Sequence, residues 1–129
     1  MRNLILKIVV SILLIATVII AFVLVNNNKV KNDEIYNVNI VVSSTEETIR
    51  NDNYQVKSDV TLFNLLDTNY DIVYDETIYG VRLLGIDTII TDFKSSYIAI
   101  YVDNKYSNYG ISNIKLYDGI KISFKEQTL

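Results

Sequence analysis

The first 25 residues contain an apolar run that is long enough to cross a lipid bilayer. From Leu4 to Val25 the only polar side chains are Lys7, Ser11 and Thr17. An α-helix of about 22 residues extends roughly 33 Å, against about 30 Å for the hydrocarbon core of a membrane. Lys7 lies one turn inside the run, where its long stem can reach the interface. We therefore predict a transmembrane helix over residues 1–25, in which residues 4–25 contact the membrane.

A cleaved signal peptide is the alternative interpretation of this segment. Signal peptides have an apolar region of about 7–15 residues, which is followed by small residues at the cleavage site. Here the run is longer and ends in the sequence Ala21-Phe22-Val23-Leu24-Val25, which lacks that pattern. The sequence favours an uncleaved anchor, then a polar linker over residues 26–35 and one domain over residues 36–129.

The charges beside the helix bear on its orientation. Arg2 and Lys7 lie on its N-terminal side, and Lys29 and Lys31 lie on the other side. Basic residues are enriched in cytoplasmic segments, whereas acidic residues have little effect on topology. A short N-terminal segment before a larger acidic domain favours export of that domain. We expect a single-pass protein of the cell membrane with an extracytoplasmic domain, and the many Ile, Asn, Lys and Tyr residues favour an AT-rich bacterial genome.

The composition of the remaining chain disfavours several classes of function. From Asn26 onward there are 10 Lys and Arg against 15 Asp and Glu, so the domain is acidic and a nucleic-acid partner is not expected. The chain has no Cys and no His, which removes disulfides, thiolate chemistry and the commonest general base and metal ligand. We expect no catalytic residue, no metal site, no cofactor and no enzymatic activity.

The hydrophobic pattern beyond the linker predicts strands and one short helix. Alternation with a period of two starts at Tyr36 and continues to Val42, as in a strand with one buried face. A polar turn is expected over residues 43–52, then a short strand around Tyr54 and Val56. Thr61-Leu62-Phe63-Asn64-Leu65-Leu66 has helical spacing of leucines, and Thr61 or Asp59 is a suitable N-cap.

The C-terminal half continues as strands and turns. Strands are predicted at residues 72–74 and 81–90, where Gly80 and Gly85 mark turns or bulges. Between Tyr97 and Val102, Ile98, Ile100 and Val102 share one face, and Tyr97, Ala99 and Tyr101 share the other. Asp103-Asn104 suits a tight hairpin turn, and Tyr117-Asp118-Gly119 is a turn before the last strand. This order predicts an α+β fold, a mixed sheet packed on one short helix.

From about Val38 to Phe124 this order resembles a β-grasp domain of unknown function related to the C-terminal domain of transcobalamin. The matching segments are Thr61 to Leu66, Gly80 to Ile86, Ile98 to Asn104, Gly110-Ile111 and Ile114 to Ile120. Ile98 stands where the family has Trp, and Asp103-Asn104 replaces its Asn-Gly turn. The resemblance implies a β-grasp-like domain. It does not imply cobalamin binding, because those carriers hold their ligand mainly with a separate helical domain.

One acidic segment has part of the spacing of a calcium loop. Asp67, Asn69 and Asp71 occupy positions 1, 3 and 5 of such a loop, but Ile72 and Ile78 occupy the positions that need Gly and Glu. We therefore interpret this segment as a polar helix exit. Asp75-Glu76 lacks an orienting partner and is interpreted as a solvated loop, and no catalytic nucleophile is expected at Ser43 to Thr45.

The tyrosines are the candidate binding residues. The chain has 10 Tyr and no Trp, and tyrosine combines apolar area with a polar tip, which suits binding surfaces. The candidates are Tyr97 and Tyr101 on one strand face and Tyr106 and Tyr109 after the hairpin turn. Ordinary half-exposed strand positions are the alternative interpretation of these residues.

These observations predict a membrane-anchored extracytoplasmic module that binds a small ligand or a surface protein. The alternative is a structural or assembly subunit of a membrane complex, such as a transporter, whose anchor helix contacts the partner.

Overall fold

The computed structural model describes residues 1–27 and 33–129, which form two separate units. The first contains α1 (Arg2–Asn27), a continuous helix that is long and apolar enough to cross a membrane by its length and composition. Of the linker predicted at residues 26–35, residues 28–32 lie outside the described residues. α1 includes residues 26 and 27, and the first strand begins at Ile35.

The second unit has the predicted α+β architecture. Its elements are β1 (Ile35–Ser43), β2 (Thr48–Lys57), α2 (Leu62–Asn69), β3 (Ile72–Thr77), β4 (Gly80–Ile86), β5 (Ile89–Ile90), β6 (Ser96–Val102), β7 (Lys105–Tyr106) and β8 (Ile120–Thr128).

A five-stranded mixed sheet has the strand order β2-β1-β8-β6-β7. The first and last strands, β1 and β8, are parallel neighbours in its middle, and the other pairs are antiparallel. A second sheet has the order β3-β4-β5. The structure confirms a small mixed-sheet domain with one short helix behind an apolar N-terminal helix.

α2 begins and ends where its sequence allows. The Thr61 side chain accepts a hydrogen bond from the Asn64 N–H at 3.2 Å, which satisfies one free amide of the first turn. Leu62, Leu65 and Leu66 are buried, as their spacing predicts. This face contributes to a core shared with the inward side chains of the large sheet, which are Val38, Ile40, Val42, Ile98, Ile100, Ile120, Ile122 and Phe124.

One turn and one bulge occur where the sequence predicts them. Asp103 and Asn104 both have positive φ, 50° and 67°, as a two-residue hairpin of the type I′ class requires. Gly85 lies opposite a shift of register between Val73 and Tyr74, which is the bulge expected there. A Cβ on Gly85 would lie 3.0 Å from the Ile89 carbonyl oxygen, so the close approach of the chain favours glycine.

The prediction of a turn over residues 43–52 was wrong in its second half. β2 already begins at Thr48 and pairs with β1 along its whole length, so that Asn51 lies opposite Val41. β2 is the outermost strand, and alternate positions along it are exposed. Because pairing with β1 supplies its backbone partners, a strand with polar side chains is stable there without a strong hydrophobic alternation.

Candidate ligand-binding cleft

An open cleft lies between β6 and the turn that joins β3 to β4. Its volume is about 600 Å³, within the range of about 300–1,000 Å³ typical of ligand sites. Leu83, Ile98 and Ile100, all buried, contribute to its apolar lining. Aromatic and aliphatic side chains complete much of the wall, namely Ile78, Tyr79, Phe93, Tyr97, Tyr106 and Tyr109. An apolar lining with a few polar tips is typical of sites for organic ligands.

The β3–β4 turn presents two large apolar side chains to solvent. Ile78 is 92% exposed and Tyr79 is 82% exposed. Thr77 fixes the turn, since its hydroxyl donates to the Gly80 carbonyl and accepts from the Tyr79 N–H. The sequence reasoning missed this wall. The signal was present, because an Ile-Tyr pair occupies a tight turn where Asn and Gly are the usual residues.

The segment after β7 forms the opposite wall and is held by local hydrogen bonds. The Ser107 hydroxyl accepts from the Tyr109 N–H at 3.1 Å. Further along, the Ser112 hydroxyl accepts from the Val81 N–H at 3.1 Å, which joins this segment to β4. Gly110 lies so close to β4 that a Cβ would be 3.0 Å from the Val81 carbonyl oxygen. The two walls are therefore connected beneath Tyr109.

The structure brings the four predicted tyrosines to one region but not to one surface. The Tyr97 hydroxyl donates to Gln127 Oε1 at 2.8 Å, and Gln127 Nε2 donates to the Tyr101 hydroxyl at 3.0 Å. Tyr101 packs edge-to-face with Tyr106, with ring centroids 5.8 Å apart. Tyr97, Tyr106 and Tyr109 line the cleft, whereas Tyr101 lies behind Tyr106 and outside the lining. A role of these tyrosines in binding stays a prediction.

A tight loop positions Phe93 at the edge of the cleft. Phe93 has a positive φ of 57°, which is uncommon for an aromatic residue. The Asp92 carboxylate stabilises this loop by accepting from the Lys94 and Ser95 N–H groups at 2.8 and 2.9 Å. These bonds, first that from Ser95, lower the pKa of Asp92 to about 2.

The charges at the cleft are paired. Arg82 lines the cleft, with its guanidinium 4.8 Å from the centre of the Phe93 ring, and its side chain forms an ion pair with Asp75. The hydrogen bond from Arg82 lowers the pKa of Asp75, and the same bond raises the pKa of Arg82. Since each charge has its partner within the domain, the pair fixes the β3–β4 hairpin beside the cleft.

Acidic residues do not assemble into a metal site in the described part of the chain. Residues 1–27 and 33–129 contain no group of three or more His, Cys, Asp or Glu side chains in reach of one ion. Asn69, from the calcium-like spacing, donates its side-chain amide to the Leu65 carbonyl at 2.8 Å at the end of α2. The Asp71 N–H donates to Asp87. These contacts agree with a polar helix exit.

The fold resembles two solved structures of binding proteins. One is a protein of Ruminococcus gnavus ATCC 29149, provisionally described as a metal binding protein, with a TM-score of 0.61 and 14% identity over 73% of this chain and 98% of that one. The other is haptocorrin in complex with Cbi, with a TM-score of 0.63 and 13% identity over 74% of this chain. This chain corresponds to 26% of the haptocorrin chain.

At these identities the likeness shows the fold alone. No protein-family model and no curated protein sequence matches the chain. The similarity to haptocorrin agrees with the resemblance to transcobalamin-related domains that the C-terminal segments indicate.

Proposed function

We propose that this protein is a membrane-anchored, extracytoplasmic binding module, and that its ligand or surface-protein partner occupies the cleft beside β6. The observation that carries the proposal is the cleft itself. It combines an apolar floor with exposed residues on both walls, including Ile78, Tyr79 and Tyr109. Exposed apolar side chains clustered around a concave site are typical of interaction surfaces.

The anchoring part of the proposal rests on α1. The helix is 26 residues long and lies near the N-terminus. A cleaved signal is the competing interpretation because signal sequences are also apolar helices near the N-terminus, although their apolar region is shorter. Binding rather than catalysis is proposed because the carboxylates nearest the cleft already have partners. Asp75 is paired with Arg82, and Asp92 caps its own loop. Neither has the free, oriented geometry of a general base.

Photocrosslinking from two tyrosine positions tests the binding site. The full-length protein is produced in its native cells with p-benzoylphenylalanine in place of Tyr109, and in a matched protein in place of Tyr117. Both positions are exposed, but only Tyr109 lines the cleft. We expect an adduct with a ligand or a protein from position 109 and not from position 117. The same adducts from both positions, or none from 109, would contradict the proposal.

The absence of cysteine allows a separate test of anchoring and orientation. Single-cysteine proteins are made at Glu46, which is exposed in the β1–β2 turn, and at Asn3, before the apolar run. A membrane-impermeant maleimide should label Glu46→Cys in intact cells and label Asn3→Cys only after lysis. The intact mass of the membrane-bound protein should include α1. A shorter mature protein, or the reverse labelling, would contradict anchoring or the proposed orientation respectively.

A further inference from the structure

β6 has a side with free backbone groups, and that side borders the cleft. The only strand beyond it in the described sheet is β7, which has two residues and pairs only with Tyr101 and Val102. The opposite side of β6 pairs with β8 from Ser96 to Val102. The first five residues of β6 therefore have a strand neighbour on one side only.

The hydrogen bonds at both ends show which residues of β6 face outward. The Leu129 N–H donates to the Ser95 carbonyl and the Asp103 N–H donates to the Lys121 carbonyl, so odd-numbered residues point toward β8. Backbone groups alternate along a strand in an antiparallel pair. Even-numbered residues therefore point away from β8, toward the cleft side.

Two of these outward groups are already occupied. The Ser96 carbonyl accepts from the Phe93 N–H at 2.9 Å, and the Ile100 carbonyl accepts from the Ser107 N–H at 2.8 Å. Between them lie the Ile98 N–H, the Ile98 carbonyl and the Ile100 N–H. Within residues 33–129 none of these three groups has a hydrogen-bond partner on the outer side.

These free groups lie at the cleft and not on an open surface. Ile98 and Ile100 both line the cleft, and their side chains are among the buried core of the domain. Unsatisfied backbone groups beside apolar surface cost free energy, which a partner with complementary groups recovers. The site thus offers a donor, an acceptor and a donor in a row, spaced as in a strand.

The outer edge of β2, unlike that of β6, has the features of an edge that is protected from pairing with a further strand. β2 forms the opposite edge of the sheet, and it carries the charged residues Arg50, Asp52 and Lys57. Charged side chains along an edge discourage pairing with a further strand. The part of β6 without an outer strand neighbour, from Tyr97 to Ile100, has no charged residue. Of the two outermost positions, only the β6 side has the composition of an edge that accepts a strand.

We propose that the occupant of the cleft is an extended peptide segment of a partner protein, which pairs with β6 at Ile98 and Ile100 as an added strand. This inference rests on the proposed function and narrows its ligand to a peptide. Main-chain pairing of this kind supplies affinity, and pockets for alternate side chains supply specificity. The Phe93 and Ser107 contacts close both ends of the free edge, so only about three peptide residues are in register with it.

The side chains around the edge predict the type of segment. Alternate side chains of an added strand point to opposite faces of the sheet. One set would contact the floor formed by Leu83, Ile98 and Ile100, which favours small or branched apolar residues. Tyr79 and Tyr109 line the two walls and are both exposed, so they would be available to contact such a segment.

The probe for this inference is a library of random linear decapeptides, selected against the full-length protein in nanodiscs and counter-selected against empty nanodiscs. The enriched peptides are then synthesised with one N-methyl group at a time. In strand addition, methylation should weaken binding by roughly tenfold or more at one residue only, because the Ile98 carbonyl is the one acceptor that β6 leaves free for a peptide N–H between the occupied Ser96 and Ile100 carbonyls. In ¹⁵N spectra, the Ile98 and Ile100 amides should become slow to exchange, and those of β2 should not change.

Two outcomes overturn the inference while leaving the proposed function in place. If no peptide is enriched and the photocrosslink from position 109 carries a small molecule, the site binds a ligand that is not a peptide. If peptides bind but no single N-methyl group weakens binding selectively, they dock through side chains and not by strand pairing. A Tyr109→Ala protein that binds the peptides as well as Tyr117→Ala does would also overturn it.

Discussion

The two margins of the large sheet face the β3–β4–β5 sheet in different ways. At the β2 margin, defined by Arg50, Asp52 and Tyr54, polar side chains fill the space. Arg50 forms ion pairs with Asp52 at 2.7 Å and Asp87 at 3.1 Å, and its guanidinium lies 4.1 Å from the centre of the Tyr70 ring. At the β6 margin, defined by residues 96–100, the corresponding space is the open cleft.

This difference separates a region that stabilises the domain from one that is available to a partner. At the β2 margin the Tyr70 hydroxyl donates to Asp52 at 3.0 Å and accepts from Tyr54 at 3.1 Å. A polar network whose members are all hydrogen-bonded to one another fixes a unique arrangement. At the β6 margin, the Ile98 N–H and carbonyl and the Ile100 N–H lack such partners within residues 33–129. The β2 margin is therefore closed by its own side chains, whereas the β6 margin is open.

The largest expected effect concerns the core that joins both margins. Leu66 is fully buried under the sheet, and a Leu→Ala change in a core typically costs about 2–5 kcal/mol of the free energy of unfolding. We expect Leu66→Ala to lower the urea midpoint sharply. Hydrogen exchange should then accelerate at both margins together, since small domains unfold cooperatively. Faster exchange at one margin alone would show that the margins are independent units.

The second prediction separates binding from stability at the β6 margin. Tyr106 and Tyr109 are 55% and 67% exposed, and aromatic anchors at interfaces commonly contribute about 2 kcal/mol or more. The double change Tyr106→Ala and Tyr109→Ala should reduce binding at the cleft by well over tenfold.

The melting temperature of that protein should fall only modestly, because Tyr106 loses its edge-to-face contact with Tyr101 but both removed side chains are largely exposed. Tyr117→Ala, which changes another exposed tyrosine outside the cleft, is the matched control for the binding measurement. If the double variant unfolds much earlier, or binds as the control does, then the β6 margin has a structural role and not a binding role.

The third prediction concerns the polar network of the β2 margin. Tyr70→Phe removes the hydroxyl between Tyr54 and Asp52, which should cost about 1 kcal/mol of stability. Tyr109→Phe, at the other margin, should cost almost nothing. Urea unfolding at neutral pH compares the two variants directly, and an equal loss in both would remove the contrast between the margins.

Tyr70 should also make the stability of the domain depend on pH, and the direction follows from its raised pKa. Burial, followed by the hydrogen bonds with Tyr54 and Asp52, raises the pKa of Tyr70 above its ordinary value of 10.0. Because the pKa is raised in the folded state, the protonated Tyr70 hydroxyl contributes to the stability of the domain below about pH 10. This contribution is lost as the pH rises further. The loss of stability above pH 10 should be smaller in Tyr70→Phe. An unchanged alkaline slope would contradict the proposed environment of this hydroxyl.

The smallest expected effect is an acid dependence at the β6 margin. The pKa of Asp92 is lowered to about 2 from 3.8 by hydrogen bonds from the loop that holds Phe93. The ionised Asp92 carboxylate therefore contributes to the stability of the folded state above about pH 4, and this contribution is lost as the pH falls toward 2. NMR titration of the Asp92 carboxyl carbon should show this low pKa. Asp92→Asn should increase loop exchange at neutral pH, and a normal pKa would contradict the loop geometry.

Local sequence patterns determined the elements that depend on neighbours along the chain. The leucine spacing after Thr61, the alternation around Ile98 and Ile100, and the Asp103-Asn104 turn all predicted the observed structure. In each case the physical cause acts within a few residues, because helix and strand periodicity and turn conformation are local properties. The apolar character and length of α1 are local in the same sense.

Only the tertiary structure decided the extent of β2 and the composition of the cleft. β2 is polar and is a strand from Thr48 because β1 pairs with it. Ile78 and Tyr79 reach the same cleft as Tyr106 and Tyr109 because the Val81–Ser112 hydrogen bond brings two distant segments together. The free groups of Ile98 and Ile100 depend likewise on where β7 stops. Sequence periodicity shows which face of a strand is buried, but its neighbours along each edge are set by long-range packing, which no local pattern encodes.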